Sequence, residues 1–160
     1  MIEVINNFLD KEMNENINSI LTEDENFPWF YVRGVADKRD NDFMFIHLLY
    51  NKVINSIYFE KLALPLIYKL KINKLIRMKI NCYTNQGNKI KHNFHVDYNT
   101  KHMVALYSIN SNNGYTEFET GEKFVSKKNQ LIIFDGKLKH RSVTQDNEHL
   151  RLNININYEL

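Results

Sequence analysis

Hydrophobic positions follow two different periods along this chain, and the change between them divides it. Residues 8–21 place Met13, Ile17, Ile20 and Leu21 at helical spacing behind Asp10, a residue type suited to capping a helix N-terminus. From 43 to 57, Phe43, Ile46, Leu49, Tyr50, Val53, Ile54 and Ile57 again recur at helical spacing. A further helical piece is expected over 58–70, with Pro65 either kinking it or marking its start. After Lys74 the period becomes two. Residues 75–83, 94–97 and 150–158 alternate apolar with polar side chains, and short apolar runs at 103–109, 115–118, 124–126, 131–134 and 140–143 are separated by turn residues. Between two of these runs, Asn113-Gly114 is expected to supply the positive backbone angles of a tight hairpin turn.

About eight short strands at close spacing predict an α+β, mainly β chain: a double-stranded β-helix (a cupin-like jelly roll) with N-terminal helices packed on its major sheet. One domain is expected over residues 1–160, helical to about 73 and β-helical from about 74. The 43% apolar content suffices for one sizeable core, and a net charge of +2 with interspersed signs gives no support for nucleic-acid binding. A single cysteine, Cys82, and an N-terminus without a basic-then-apolar leader suggest the cytoplasm. No apolar run approaches the roughly 20 residues that span a bilayer.

Against this scaffold a few polar residues stand out: His95-Val96-Asp97, His140 and Arg151. Residues two apart on a strand share a face, so His95 and Asp97 would project together while Phe94 and Val96 pack behind them. With His140, 43 residues beyond Asp97, they make two imidazoles and a carboxylate, the set that holds non-haem Fe(II) and leaves positions open for O2 and a co-substrate. Arg151 is placed to pair with a carboxylate of that co-substrate. If Arg151 faces inward, so do Asn153 and Asn155, and the same alternation puts Tyr83, Asn81 and Lys79 on one face of an earlier strand, where Tyr83 could offer a hydroxyl. The plain alternatives are a solvent-facing asparagine ladder, solvated Arg77 and Lys79, and surface or packing roles for His47, His92, His102 and His149. The polar segment 33–42, with Trp29, Phe30 and Tyr31 before it, reads either as an exposed loop or as a lid over the metal.

From Arg77 to Tyr158 the chain resembles the Fe(II)- and 2-oxoglutarate-dependent dioxygenases, within them the small prolyl-4-hydroxylase-like enzymes of bacteriophage and bacteria. The resemblance rests on His95-Val96-Asp97, on Tyr107-Ser108-Ile109-Asn110-Ser111-Asn112-Asn113-Gly114-Tyr115-Thr116-Glu117-Phe118, on Leu131-Ile132-Ile133-Phe134-Asp135-Gly136 leading to His140, and on Arg151-Leu152-Asn153-Ile154-Asn155. It implies that His95, Asp97 and His140 bind iron and that Arg151 binds the distal carboxylate of 2-oxoglutarate, with Tyr83 and, second to it, Tyr107 as hydroxyl partners. Asn153 stands where many relatives carry a hydroxyl residue. The implied reaction hydroxylates an unactivated C–H bond and releases succinate and CO2, with ascorbate as a supporting reductant. Asp97 argues against halogenation, for which relatives have a small residue there. The implied substrate is a peptidyl residue such as proline, with a small metabolite or nucleobase as the alternative. A non-catalytic binding module and a metal enzyme that does not use 2-oxoglutarate are the rivals.

Overall fold

The computed structural model describes residues 1–36, 40 and 42–159. Its elements run β1 (Ile2–Asn6), α1 (Lys11–Thr22), β2 (Phe30–Arg33), β3 (Phe43–Asn51), β4 (Val53–Ile54), α2 (Phe59–Leu62), α3 (Leu64–Leu70), β5 (Lys74–Thr84), β6 (Met103–Ser108), β7 (Tyr115–Phe118), β8 (Lys123–Val125), β9 (Gln130–Asp135), β10 (His140–Val143) and β11 (Leu150–Glu159). They form two facing antiparallel sheets. The major sheet has the order β1-β9-β6-β11-β5-β3-β2, with β4 also on β3, and the minor sheet has the order β10-β7-β8. Segment 91–95 extends the minor sheet by bridges alone, Lys91 to Val143 and His95 to His140, so the expected strand at 94–97 is no continuous strand.

Alternation along β11 sorts the molecule into its layers. Leu152, Ile154, Ile156 and Tyr158 join Met78, Ile80 and Cys82 of β5 in a core closed from outside by Ile17 and Leu21 of α1 and by Phe59, Leu62 and Leu66. A smaller cluster, Val104, Leu106, Phe118, Ile132 and Phe134, fills part of the space between the sheets. The opposite parity of β11 and β5 is polar and faces the same inter-sheet space. Asp10 caps α1 by accepting from the Met13 N–H at 2.9 Å, but the buried face is Asn14, Ile17 and Leu21, and Met13 is exposed. Pro65 sits in the first turn of α3, where it lacks no needed donor, so it starts a helix rather than kinking one.

Two expectations are corrected. Residues 43–57 are not helical: they form β3, β4 and the approach to α2. β3 carries apolar side chains on both faces, buried or half-buried from Phe43 to Tyr50, so its run of Phe, Met, Ile and Leu lacks the alternation that marks a strand with one polar face. The part before residue 74 is therefore mixed, with four strands beside its helices. Asn113-Gly114 is not a tight hairpin turn either. Neither residue has positive φ, and the segment crosses from β6 in the major sheet to β7 in the minor one. Glycine is needed there for space. A Cβ at Gly114 would stand 2.7 Å from Cδ of Arg151 and 3.0 Å from the Val143 carbonyl oxygen. No helix among the described residues is long and apolar enough to cross a membrane.

Candidate metal centre and anion pocket

His95, Asp97 and His140 converge at the mouth of the inter-sheet cleft, each offering a ligand atom within 4.8 Å of the others. The bridge between His95 and His140, with its N–H···O bonds at 3.0 Å in both directions, holds the imidazoles side by side. Each Nδ1 faces the carbonyl two residues earlier, Asn93 at 3.3 Å and Leu138 at 3.2 Å. A carbonyl only accepts, so Nδ1 carries a proton, and the neutral form of each ring then has its Nε2 lone pair open to a metal. Burial holds His140 below the ordinary histidine value against the opposing pull of Asp97, which favours the neutral ring a metal needs.

Asp97 is held from both sides. Arg77 donates to Oδ1 at 3.0 Å, and Asn155 and Asn157 donate to Oδ2 at 3.1 and 2.8 Å. Burial works to raise its pKa, but Arg77, His140 and the two amides outweigh it and keep the carboxyl well below the usual carboxylate range. A carboxylate has about four lone-pair sites. The three donors leave one facing the imidazoles. Arg77 itself is fixed by Asn157, whose Oδ1 accepts from its Nε at 3.2 Å, and by the ring of Tyr98 at 5.1 Å. It is not the solvated charge of the plain reading.

Arg151 lies deeper in the cleft and is 2% exposed. Its three donor nitrogens reach only hydroxyls, Ser126 at 2.9 Å, Ser142 at 2.6 Å and Thr116 at 3.2 Å. Among the described residues no carboxylate pairs with it, and burial lowers its pKa while Tyr83 opposes. Tyr83, opposite Arg151 in the β5–β11 register, lies under the guanidinium at 5.1 Å and hydrogen bonds with Ser142 and Arg151. Burial raises its pKa, so the hydroxyl keeps its proton. A buried guanidinium is costly without a compensating anion. Arg151 has the donors to pair with an anion from outside the chain.

The same register continues toward the mouth: Asn153 opposite Asn81, Asn155 opposite Lys79, Asn157 opposite Arg77. Asn81 donates to Asn153 at 2.9 Å, and Asn81 Oδ1 and Asn155 Oδ1 are buried acceptors without a partner among the described residues. The ladder thus lines the cleft and is not a solvent-facing edge. Lys79 lines it too, with its pKa pushed down to about 8 by burial and by Arg77, against the pull of Asp97. The sequence puts Asn155 on the inward wall and Lys79 on the face of Tyr83 without giving either a partner, and neither the Arg77–Asp97 pair nor Asn157 is anticipated there. The parity that Arg77 and Asn157 share with Arg151 was the available signal.

Tyr107 is placed elsewhere. On β6 it is Leu106 that faces the cleft, so Tyr107 points into the helical core, where it donates to Asn14 at 2.9 Å and Asn129 at 3.0 Å. It cannot reach a ligand beside Arg151. The remaining histidines divide: His47 and His102 are buried packing groups, His149 is exposed, and His92 bridges Asp42 at 2.6 Å and the Ser142 carbonyl at 3.0 Å. Segment 33–42 lies partly outside the described residues. What is described of it is tied to the chain before His95: Asn93 donates to Asp40 at 2.6 Å, and Val35 lines the cleft. Phe30 and Tyr31 lie exposed on edge strand β2, and Trp29 packs against Phe27; none of them lines the cleft.

No protein-family profile matches the sequence, and no curated protein matches it. Solved structures do. A prolyl hydroxylase from Trichoplax adhaerens, in complex with a peptide fragment of the hypoxia-inducible factor oxygen degradation domain, aligns over 99% of this chain and 83% of its own, with TM-score 0.73 and 14% identity. A 2OG-Fe(II) oxygenase family oxidoreductase from Burkholderia pseudomallei aligns over 98% and 84%, with TM-score 0.69 and 9% identity. The non-haem α-ketoglutarate-dependent epimerase SnoN of nogalamycin biosynthesis aligns over 99% and 76%, with TM-score 0.65 and 11% identity. The chain has the jelly-roll fold of the 2-oxoglutarate- and Fe(II)-dependent oxygenases, and its structural neighbours include prolyl hydroxylases.

Proposed function

We propose that this protein is an Fe(II)- and 2-oxoglutarate-dependent dioxygenase that hydroxylates an unactivated C–H bond. One observation carries the reading: a carboxylate-hungry, buried Arg151 faces the same cleft as a cluster of two imidazoles and one carboxylate. The donor set fits the group. Neutral Nε2 atoms and a carboxylate oxygen suit Fe(II), and Arg151 with Tyr83 suits a dicarboxylic acid anchored at its far end. His95, Asp97 and His140 would hold the iron, which when bound supplies the activation of O2 that is coupled to decarboxylation of the co-substrate.

What the chain's own residues contribute is orientation and exclusion of water. Arg77, Asn155 and Asn157 keep Asp97 ionised and aimed, and the Asn93 and Leu138 carbonyls set the imidazole tautomers. Ser126, Ser142 and Thr116 fix the guanidinium plane, and Tyr83 keeps a protonated hydroxyl for the bound acid. Leu106 and Phe134 give the cleft an apolar wall. A peptidyl residue such as proline is the favoured target, as in the peptide complex of the Trichoplax neighbour. The epimerase neighbour supports a second reading, in which the same kind of site inverts a stereocentre in place of hydroxylation.

The test is direct. Anaerobically purified protein is given Fe(II), ascorbate and 2-oxoglutarate, O2 is admitted, and succinate is followed over a panel of peptides and metabolites. Succinate above background is expected; none with any panel member would count against an enzyme and for a binding module. Asp97→Ala and His140→Ala should abolish iron binding, whereas Arg151→Ala should retain iron and weaken 2-oxoglutarate at least tenfold. Equal iron affinity in all three variants would sink the site.

A further inference from the structure

Lys79 has no role in holding the metal or the co-substrate, yet it occupies the cleft. It lies four residues before Tyr83 on β5, about 13 Å along a strand, and its register partner is Asn155, a donor to Asp97. Arg151 and Lys79 thus stand at opposite ends of one polar wall, with the imidazole–carboxylate cluster toward the Lys79 end. Among the described residues the Lys79 ammonium has neither a hydrogen bond nor an ion pair. Arg77, its neighbour in parity, spends its charge on Asp97.

Charge balance isolates Lys79 further. Arg77 neutralises Asp97, and a divalent iron neutralises a dicarboxylate. With iron and 2-oxoglutarate in place, Arg151 and Lys79 still leave the cleft positive, in a space where water is scarce and unpaired charge is costly. Beside Lys79 the buried Oδ1 atoms of Asn81 and Asn155 accept from nothing among the described residues. An ammonium and two free acceptors together call for a ligand with an anionic group and N–H donors.

We infer that Lys79 is the anchor for a carboxylate on the primary substrate, which lies next to the C–H bond presented to the metal. The inference rests on the oxygenase reading above and narrows its substrate class. The carboxylate belongs either to a free or N-acylated amino acid or to an acidic residue flanking the target in a peptide. Neutral peptides and unsubstituted nucleobases lack it.

Two measurements test this. First, wild type and Lys79→Met are titrated with 2-oxoglutarate in the presence of Fe(II) under anaerobic conditions, following the visible charge-transfer band. Affinities within twofold are expected, which also shows that the variant is folded. A loss of tenfold or more would make Lys79 a co-substrate residue and overturn the inference. Second, Mn(II)- and 2-oxoglutarate-loaded protein is titrated with matched probes, read by paramagnetic broadening of their proton signals. One arm pairs N-acetyl amino acids with their amides; the other pairs neutral peptides with the same peptides carrying Asp or Glu in place of Asn or Gln. Wild type should favour the acidic member at least tenfold in one arm, and Lys79→Met should lose that preference while Lys79→Arg keeps part of it. Equal treatment of acid and neutral probe by wild type, binding of neither, or an unchanged preference in Lys79→Met would each overturn the inference while the oxygenase reading stands. Failure of wild type to take up metal and 2-oxoglutarate at all would overturn both.

Discussion

At the scale of single residues, side-chain parity decides which groups can act together. Tyr83 and Tyr107 are both buried tyrosines on strands of the major sheet, and only Tyr83 has the parity that faces the cleft. Tyr107→Phe should therefore leave 2-oxoglutarate affinity unchanged. It should cost about 1–2 kcal/mol of stability, because Asn14 and Asn129 lose a buried donor, and paired ligand titration and urea unfolding would check this. Arg77 carries a different kind of prediction. Asp97 has a depressed pKa, so its contribution to stability is present above the unfolded carboxyl value, ~3.9, and is lost as pH falls through the lower folded value. Removing the guanidinium in Arg77→Met should raise the folded value and move acid unfolding of the metal-free protein to higher pH. The cost near neutrality should be about 3 kcal/mol, measurable by circular dichroism across a pH series. Lys79 has the opposite sign. Its folded value of about 8 lies below that of a free lysine, so at neutral pH the fold resists its charge, and Lys79→Met should raise the melting temperature while damaging substrate binding.

At the scale of elements, alternation was the legible signal, and it worked where one strand face is polar. The strands over 75–83 and 150–158 lie within a residue or two of where alternation places them, and those over 115–118, 131–134 and 140–143 lie equally close to the short apolar runs bounded by turn residues. His140, Tyr83, Arg151 and Asn153 come to one cleft from those strands, and His95 and Asp97 join them from a segment that is no continuous strand. β3 was illegible because burial on both faces erases alternation, and β1 because five residues offer too few repeats. Parity puts Lys79 on the face of Tyr83 but leaves solvation open as the alternative, since sequence alone does not tell how deep a face lies. Gly114 misled through local chemistry: Asn-Gly suits a hairpin, but here a tertiary contact, the Arg151 stem, sets the need for glycine. Gly114→Ala should accordingly cost about 1–3 kcal/mol and weaken 2-oxoglutarate by displacing the guanidinium, whereas Gly121→Ala, with positive φ and open space around its Cβ position, should affect stability alone. Comparing chemical denaturation and co-substrate affinity for the two variants separates these effects.

At the scale of the whole molecule, β11 lies between β5 and β6, with one face in the core and the other walling the cleft. Its partners are distant in sequence: Leu150 pairs with Thr84, and Glu159 with Lys74. Pairings of such separation form slowly, because a long loop must close before any contact rewards it. Until they form, β5 and β6 each present an open edge beside apolar side chains, the kind of surface on which unfinished chains stick to one another. A chain stopped at residue 149 would thus lack more than one wall of the site. It would be expected to aggregate, and during synthesis the protein would depend on protection of those edges until β11 has been made.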